Sequence, residues 1–377
     1  MAKRRGNSEG SIYQRKSDGR WVGSFIASTG KRKYLYAKTR REVSRNLAEA
    51  LRAKSEGLPS PDDRLTTGEF LQTWLYDHAA KRVRNSTLKS YEQKVRLHVV
   101  PSIGRIRLAK LTPQHVEKMM GDGLAAGIPP SSVRHHRTVL RIALNVAMRW
   151  GLVGRNAAAL AEPPKVPGYE VRPLSLMQAR ALLKAVSGER LEALFTVALS
   201  VGLRQSEALG LLWDDIDFDT GSLSIRRSLQ RENGEYVFLD LKTTRSRRTT
   251  PLPGPTLSAL RKHRACQSEE RLKAGTAWQG ERWGSLVFAT ELGRPLSGFG
   301  VTRRFRWLLE AAGLPTMRYH DLRHGAASLM AAQNVPARIA MEILGHAQIG
   351  TTMNIYAHVS SDVQREAAER MADALWG

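Results

Sequence analysis

Two proline-bearing interruptions divide this chain and limit what it can fold into. One lies at residues 58–65, with Pro59 and Pro61 beside Asp62 and Asp63; the other lies at 163–173, with Pro163, Pro164, Pro167 and Pro173. Proline fixes φ and removes a backbone donor, so neither stretch continues a helix or a central strand. The 377 residues exceed what one core serves comfortably and suffice for three. The expected organisation is a domain at 1–57, a linker at 58–65, a domain at 66–162, a linker at 163–173 and a domain at 174–377.

The residue pattern differs on each side of these breaks. Before the first, alternating runs at 11–15, 20–26 and 31–36 read as three strands, separated by Ser17-Asp18-Gly19 and Thr29-Gly30 turn signals. A helix follows, with Thr39 and Glu42 spaced as a capping box and Val43, Leu47, Ala50 and Leu51 on one face. The middle segment is helical. Thr66 and Glu69 cap a helix holding Phe70, Leu71, Trp74 and Leu75; Leu88, Tyr91, Val95 and Val99 trace a second, which Pro101 is expected to end. Thr112-Pro113 opens a third, and 131–150 forms a fourth with Val133, Leu140, Leu144 and Met148 in phase. Beyond 173, helical periodicity at 175–186 and 191–212 gives way to strand-like runs at 222–228, 236–241 and 247–252, then to helices interrupted at 275–284. The fold class is therefore multidomain and mainly α with small β-sheets: a three-stranded sheet plus helix, a helical domain, and a mixed α+β domain.

The formal net charge is +24 and the pI about 10.6. Residues 1–60 hold 15 basic against 5 acidic side chains, residues 61–165 hold 17 against 8, and the remainder 27 against 22. The first two segments are thus an electrostatic grip for a polyanion. No apolar run approaches a bilayer span and no lipidation signal is present, so a membrane partner is not expected and a cytoplasmic location is. The single cysteine, Cys266, excludes an internal disulfide framework and a cysteine-rich zinc site; it reads as an ordinary half-buried thiol.

Arg15, Lys16, Arg20, Lys31 and Lys33 stand among Tyr13, Trp21 and Tyr34, a basic, aromatic sheet of the kind that enters a DNA groove. Trp21 and Phe25 also suit the small domain's core. Arg134, Arg137 and Arg141 form a stripe on the fourth helix of the middle segment, a solvated face that in so basic a chain also fits phosphate contacts.

Arg204, Lys242, His320, Arg323, His346 and Tyr356 have the chemistry of a cationic cage around one phosphate with a phenol positioned to attack it. Arg204 has Glu207 one turn away as a carboxylate partner. Lys242 is expected at a hairpin tip between two strands. His320, Arg323 and His324 are spaced along one helical face, and His346 follows a helix end at Leu344-Gly345.

These boxes, Gly202-Leu203-Arg204 with Glu207, the strand-borne Lys242, His320-x-Leu322-Arg323-His324, Leu344-Gly345-His346 and a late tyrosine, resemble the tyrosine recombinases, or phage-type integrases, over essentially the whole chain. The stretch 91–104, with Pro101 and Gly104, resembles that family's core-binding domain, and 11–56 is similar to the arm-binding domain of its integrase branch. The resemblance implies Tyr356 as nucleophile, Arg204 and Arg323 on the non-bridging oxygens, Lys242 as proton donor to the leaving oxygen, His320 assisting the tyrosine and His346 hydrogen-bonding the phosphate. Glu207 and His324 would be supporting residues. It implies no metal, ATP or other cofactor, and as partners double-stranded DNA attachment sites, a homotetramer on a four-way junction, an excisionase and a host DNA-bending protein.

Three other readings compete. His320-Asp321-x-x-His324 imitates a two-histidine zinc helix, but Arg323 opposes a dication and no third ligand is evident. A DNA-binding regulator that kept the fold and lost its chemistry would be equally basic. A type IB topoisomerase shares the chemistry and differs in assembly.

Overall fold

The computed structural model describes residues 10–26, 32–55, 64–167, 174–241, 246–345, 350, 353, 356, 369 and 371–376. The chain splits into two compact units, Met1–Gly168 and Tyr169–Gly377.

The first unit begins with an antiparallel sheet, β1 (Ser11–Gln14), β2 (Trp21–Ile26) and β3 (Arg32–Ala37), in the order β1-β2-β3. The register places Tyr13, Val22 and Tyr36 in one row and Ser11, Ser24 and Tyr34 in the next. Because side chains alternate, Ile12, Gly23, Phe25 and Leu35 point to the other face. That face packs on α1 (Arg40–Ser55): a Cβ at Gly23 would lie 3.1 Å from Val43, so the glycine lets the helix approach. Glu42 N–H donates to the Thr39 hydroxyl at 3.2 Å, starting the helix where the spacing predicts. Phe25 and Leu47 are the buried centre of a thin core.

The rest of this unit is a helical bundle of α2 (Thr67–Thr73), α3 (Asn85–Lys94), α4 (Val100–Ile103), α5 (Pro113–Ala125), α6 (Pro130–Arg149) and α7 (Ala157–Leu160). Thr66 with Glu69, and Thr112 with His115, close reciprocal capping boxes. Phe70, Trp74, Val99, Ile103, Leu140 and Leu144 lie in its core. Pro101 does not end the second helix. Residues 95–99 widen into a π-type turn and the chain stays helical through Pro101 to Ile103; the wide turn makes room for the ring, which a regular α turn would not. Met148 faces solvent, because the buried stripe of α6 runs through Val139, Ala143, Val146 and Ala147 instead.

The second unit opens with α8 (Leu176–Val186), α9 (Glu192–Val201) and α10 (Gln205–Leu209). The periodicity across 191–212 thus conceals a break: Gly202 ends α9 at φ 68°, left-handed, and only then does α10 begin. Strands β4 (Ile216–Asp217), β5 (Ser222–Ile225), β6 (Arg227–Glu232), β7 (Glu235–Asp240) and β8 (Arg248–Pro251) follow. They form two sheets, β4-β5-β8 and β6-β7. The link from β7 to β8 therefore joins different sheets, and the hairpin expected around Lys242 is not formed, since β7 pairs with β6 and β8 with β5. Lys242 itself lies outside the described residues. Then come α11 (Gly254–Ala274), α12 (Gly298–Ala311), α13 (Asp321–Ala332) and α14 (Ala337–Leu344). Phe195, Leu203, Leu223, Phe288, Phe305 and Leu322 belong to one large core that fixes α9, β5 and α13 together. Cys266, on α11, is exposed, not half-buried. Among the described residues no helix is long and apolar enough to cross a membrane.

Candidate active site

Three local sequences far apart in the chain meet at their backbones. The break at Gly202 is held from two sides: a Cβ there would fall 2.3 Å from Leu344 and 3.3 Å from Ala326, so α13 and α14 close against a position only glycine fits. Arg323, on α13, donates from Nη1 to the Gly202 carbonyl at 2.7 Å. Arg204 reaches across to the Gly345 carbonyl at 3.4 Å, and Gly345 ends α14 at φ 66°.

Glu207 is the anionic centre of this cluster. Its carboxylate, 2% exposed, accepts Arg204 Nη1 on Oε1 at 2.5 Å and the Arg204 backbone N–H on Oε2 at 3.1 Å. Arg248, at the start of β8, donates from Nη2 to Oε2 at 3.3 Å. Burial pushes the Glu207 carboxyl up, but the charges of Arg248 and Arg204 outweigh it and hold the group below its ordinary value. A buried carboxylate between two guanidinium groups stays ionised and fixes both.

The arginines differ in access. Arg204 keeps 36% of its side chain exposed, Arg248 only 7%, and Arg323 is 2% exposed. Burial, then the nearby charge of Arg204, pushes Arg323 down to about 9, which leaves it a cation at neutral pH. His320 stands at the N-terminal boundary of α13, and its ring meets that of His324 edge to face at 5.3 Å. Burial, with His324 and Arg323 adding to it, holds His320 below its ordinary value, so the ring is neutral at pH 7. His324 is lowered as well, first by burial. Among the described residues no three His, Cys, Asp or Glu side chains are grouped as a metal site needs.

The Tyr356 hydroxyl donates to the Val335 carbonyl at 2.9 Å, in the turn between α13 and α14. Burial raises its pKa, so the phenol is protonated at neutral pH. Of the residues singled out in the sequence, then, Arg204 and Glu207 are paired directly, and Arg323 is held beside them on the Gly202 carbonyl; His320 and His324 lie on the helix that carries Arg323; Tyr356 rests on Val335. Lys242 and His346 lie outside the described residues.

Arg248 is the residue the sequence reading missed. Its Nε donates to the Ile343 carbonyl at 2.6 Å and its Nη1 to the Ser246 carbonyl at 3.1 Å. A Cβ at Gly345 would sit 2.7 Å from Arg248 Nη1, so the glycine accommodates this arginine as well as the left-handed turn. No local spacing signals it: Arg245 and Arg247 beside it look the same in the sequence.

The residues assigned to DNA contact are dispersed. Arg15 pairs with Asp18 and lies over the Tyr36 ring at 5.4 Å, and Lys16 and Arg20 are exposed in the following turn. Lys33, exposed, is in register with Phe25 and so belongs to the helix-covered side of the sheet; Lys31 is outside the described residues. On the opposite face Tyr13, Tyr34 and Tyr36 are exposed, and their alternation in β1 and β3 was the available signal. Arg134 and Arg141 are exposed on α6. Arg137 instead bonds the Ala159 and Ala161 carbonyls and ties α6 to α7.

The chain is similar to known proteins over most of its length. The profile described as "Phage integrase family" matches residues 173–362, and that of "Phage integrase, N-terminal SAM-like domain" matches 66–120. A tyrosine recombinase XerC-like protein of Caldanaerobacter subterraneus subsp. tengcongensis is 28% identical, covering 91% of this chain and 92% of its own. Among solved structures, the Tn1549 transposon integrase in complex with a circular intermediate DNA superposes with a TM-score of 0.70 at 19% identity, covering 82% of this chain and 100% of that one. A lambda integrase tetramer bound to a Holliday junction gives 0.57 at 20% identity, covering 93% and 96%.

Proposed function

The chain belongs to the phage integrase family, and from that membership we propose that Tyr356 cleaves DNA by transesterification at a phosphate held by Arg204 and Arg323. It is a tyrosine recombinase, an enzyme of site-specific DNA recombination. The observation that supports the site assignment is the Arg204–Glu207 pair together with Arg323 on the Gly202 carbonyl, two cations held beside Gly202 and Gly345.

In this reading the Tyr356 oxygen attacks phosphorus as the phenol gives up its proton, and neutral His320 accepts it. A tyrosine–phosphate bond forms at the 3′ side of the DNA and the bond to the 5′ oxygen breaks. Lys242 supplies the proton that leaves with the 5′ hydroxyl. Arg204 and Arg323 offset the charge growing on the non-bridging oxygens, and His346 donates a further hydrogen bond. Attack by a 5′ hydroxyl of another strand reverses the step, so phosphoester energy is conserved and no ATP is consumed. Glu207 fixes Arg204, and His324 supports His320.

The partner is double-stranded DNA at attachment sites. Exchange between two duplexes calls for four protomers on a four-way junction, as in the lambda integrase tetramer on its Holliday junction. The basic stretches at 1–57 and 66–162 supply separate DNA grips, the tyrosine face of the N-terminal sheet for flanking sites and the α6 stripe for the core site. An excisionase and a host DNA-bending protein complete the set for reversal, and the cytoplasm is the compartment where this DNA is met. A nicked duplex carrying the junction of the encoding element tests the reading. Wild type gives a covalent protein–DNA band and Tyr356→Phe gives none; an equal band from both ends the proposal.

A further inference from the structure

Two guanidinium groups share the Glu207 carboxylate, yet only that of Arg204 has an edge in solvent. Arg248 is closed in by the Ile343 and Ser246 carbonyls and by Gly345, so it cannot itself present donors to a phosphate. What it does touch is Oε2 of Glu207, while Arg204 Nη1 holds Oε1. A carboxylate with both oxygens open to one arginine favours the two-pronged fork pair. With Arg248 and the Arg204 backbone N–H on Oε2, the Arg204 side chain is confined to Oε1, and among the described residues its second nitrogen makes only the long 3.4 Å contact to Gly345.

We propose that Arg248 is a positioning residue for DNA cleavage: by occupying Glu207 it keeps the outer edge of the Arg204 guanidinium turned toward the substrate phosphate, and by its bonds to Ile343 and Ser246 it locks α14 and β8 around that pair. The inference rests on the assignment of Arg204 to the phosphate. Removing the charge of Arg248 lets Arg204 fold back onto Glu207 as a bidentate pair, which withdraws donors from the reacting phosphate without weakening the DNA grip elsewhere.

The test is single-turnover adduct formation at saturating nicked duplex, with DNA affinity measured in parallel, for wild type, Arg248→Met, Arg248→Lys, Arg204→Lys and the double variant Arg204→Lys/Arg248→Met. Arg248→Met is expected to slow the chemical step roughly 30- to 100-fold with affinity within about threefold of wild type, as for misplacement of a transition-state donor. Arg248→Lys, able to reach Glu207 though not both carbonyls, recovers most of that loss. The double variant reacts no more slowly than Arg204→Lys, since a group that acts through Arg204 has nothing left to position. Losses that multiply in the double variant, or an Arg248→Met enzyme within threefold of wild type, overturn the inference. If Arg248→Met melts below the assay temperature, Arg248→Gln, alone and combined with Arg204→Lys, decides by the same criterion. An Arg204→Lys enzyme as fast as wild type refutes instead the assignment of Arg204, which separates the two failures.

Discussion

The arginines of the N-terminal sheet and those around Glu207 show opposite uses of one side chain. Arg15 and Arg20 stand in solvent on a domain whose core is centred on Phe25 and Leu47, and their nearest anion is the exposed Asp18. Arg248 and Arg323 are buried in a domain with a large continuous core, where backbone carbonyls and one carboxylate take up their donors. An exposed cation contributes a field that salt screens; a buried one contributes a fixed geometry at the cost of desolvation. The first is suited to holding a polyanion in many registers, the second to fixing the groups of one site in one orientation.

The largest expected difference between the regions comes from single substitutions. Tyr356→Phe removes the covalent adduct entirely while leaving DNA affinity within about threefold, because it deletes a nucleophile and no charge. Glu207→Ala leaves Arg248 and Arg323 buried without their anion, and thermal or urea unfolding is expected to show a loss of about 3–5 kcal/mol. Arg15→Ala leaves the melting temperature unchanged; it weakens DNA binding and lowers the slope of log affinity against log salt by about 1. Equal stability losses for Glu207→Ala and Arg15→Ala would erase the contrast.

Two pH responses sharpen it. His320 is depressed below its ordinary value of 6.5, so its neutral form persists below that pH. Adduct formation should therefore retain more than half its pH 8 rate at pH 6.5, and a midpoint above 6.5 would contradict the assigned environment. In the helical bundle, His136 on α6 stacks on His98 at 4.1 Å, and burial, with the charges of His98 and Lys94 adding to it, lowers it to about 4. The unfolded chain binds a proton near 6.5 and the folded one resists it, so stability is full above 6.5 and falls as pH drops toward 4, by on the order of 2 kcal/mol. His136→Leu should flatten that fall in a melting series. The smallest effect belongs to Tyr319, buried among Phe195 and Phe305 with a hydroxyl that has no hydrogen-bond partner among the described residues. Tyr319→Phe should leave stability unchanged or raise it by up to about 1 kcal/mol.

Features written in neighbouring residues were legible in the sequence. The capping box at Thr66, the helix start at Thr112-Pro113 and the three N-terminal strands lie within a residue or two of their expected bounds, because caps and alternation act over a few positions. Gly202-Leu203-Arg204 with Glu207 was legible for the same reason: donor and acceptor are three residues apart. What depends on distant partners was hidden. Arg248 meets Glu207 across 41 residues and Ile343 across 95, and nothing near it marks the contact. Strand alternation does not name a strand's partner, which is why β7 and β8 read as a hairpin and fold into separate sheets. Pro101 looked like a stop because a π-type turn cannot be seen in apolar spacing.

The central claim is that Tyr356 becomes the covalent link to DNA at a phosphate fixed by guanidinium groups. Mass spectrometry of the adduct, after nuclease trimming and proteolysis, tests it most directly. A nucleotide attached through its 3′ phosphate to the peptide containing Tyr356 is the predicted result, lost in Arg204→Ala. A nucleotide on any other residue, or an undiminished Tyr356 adduct in Arg204→Ala, would contradict it.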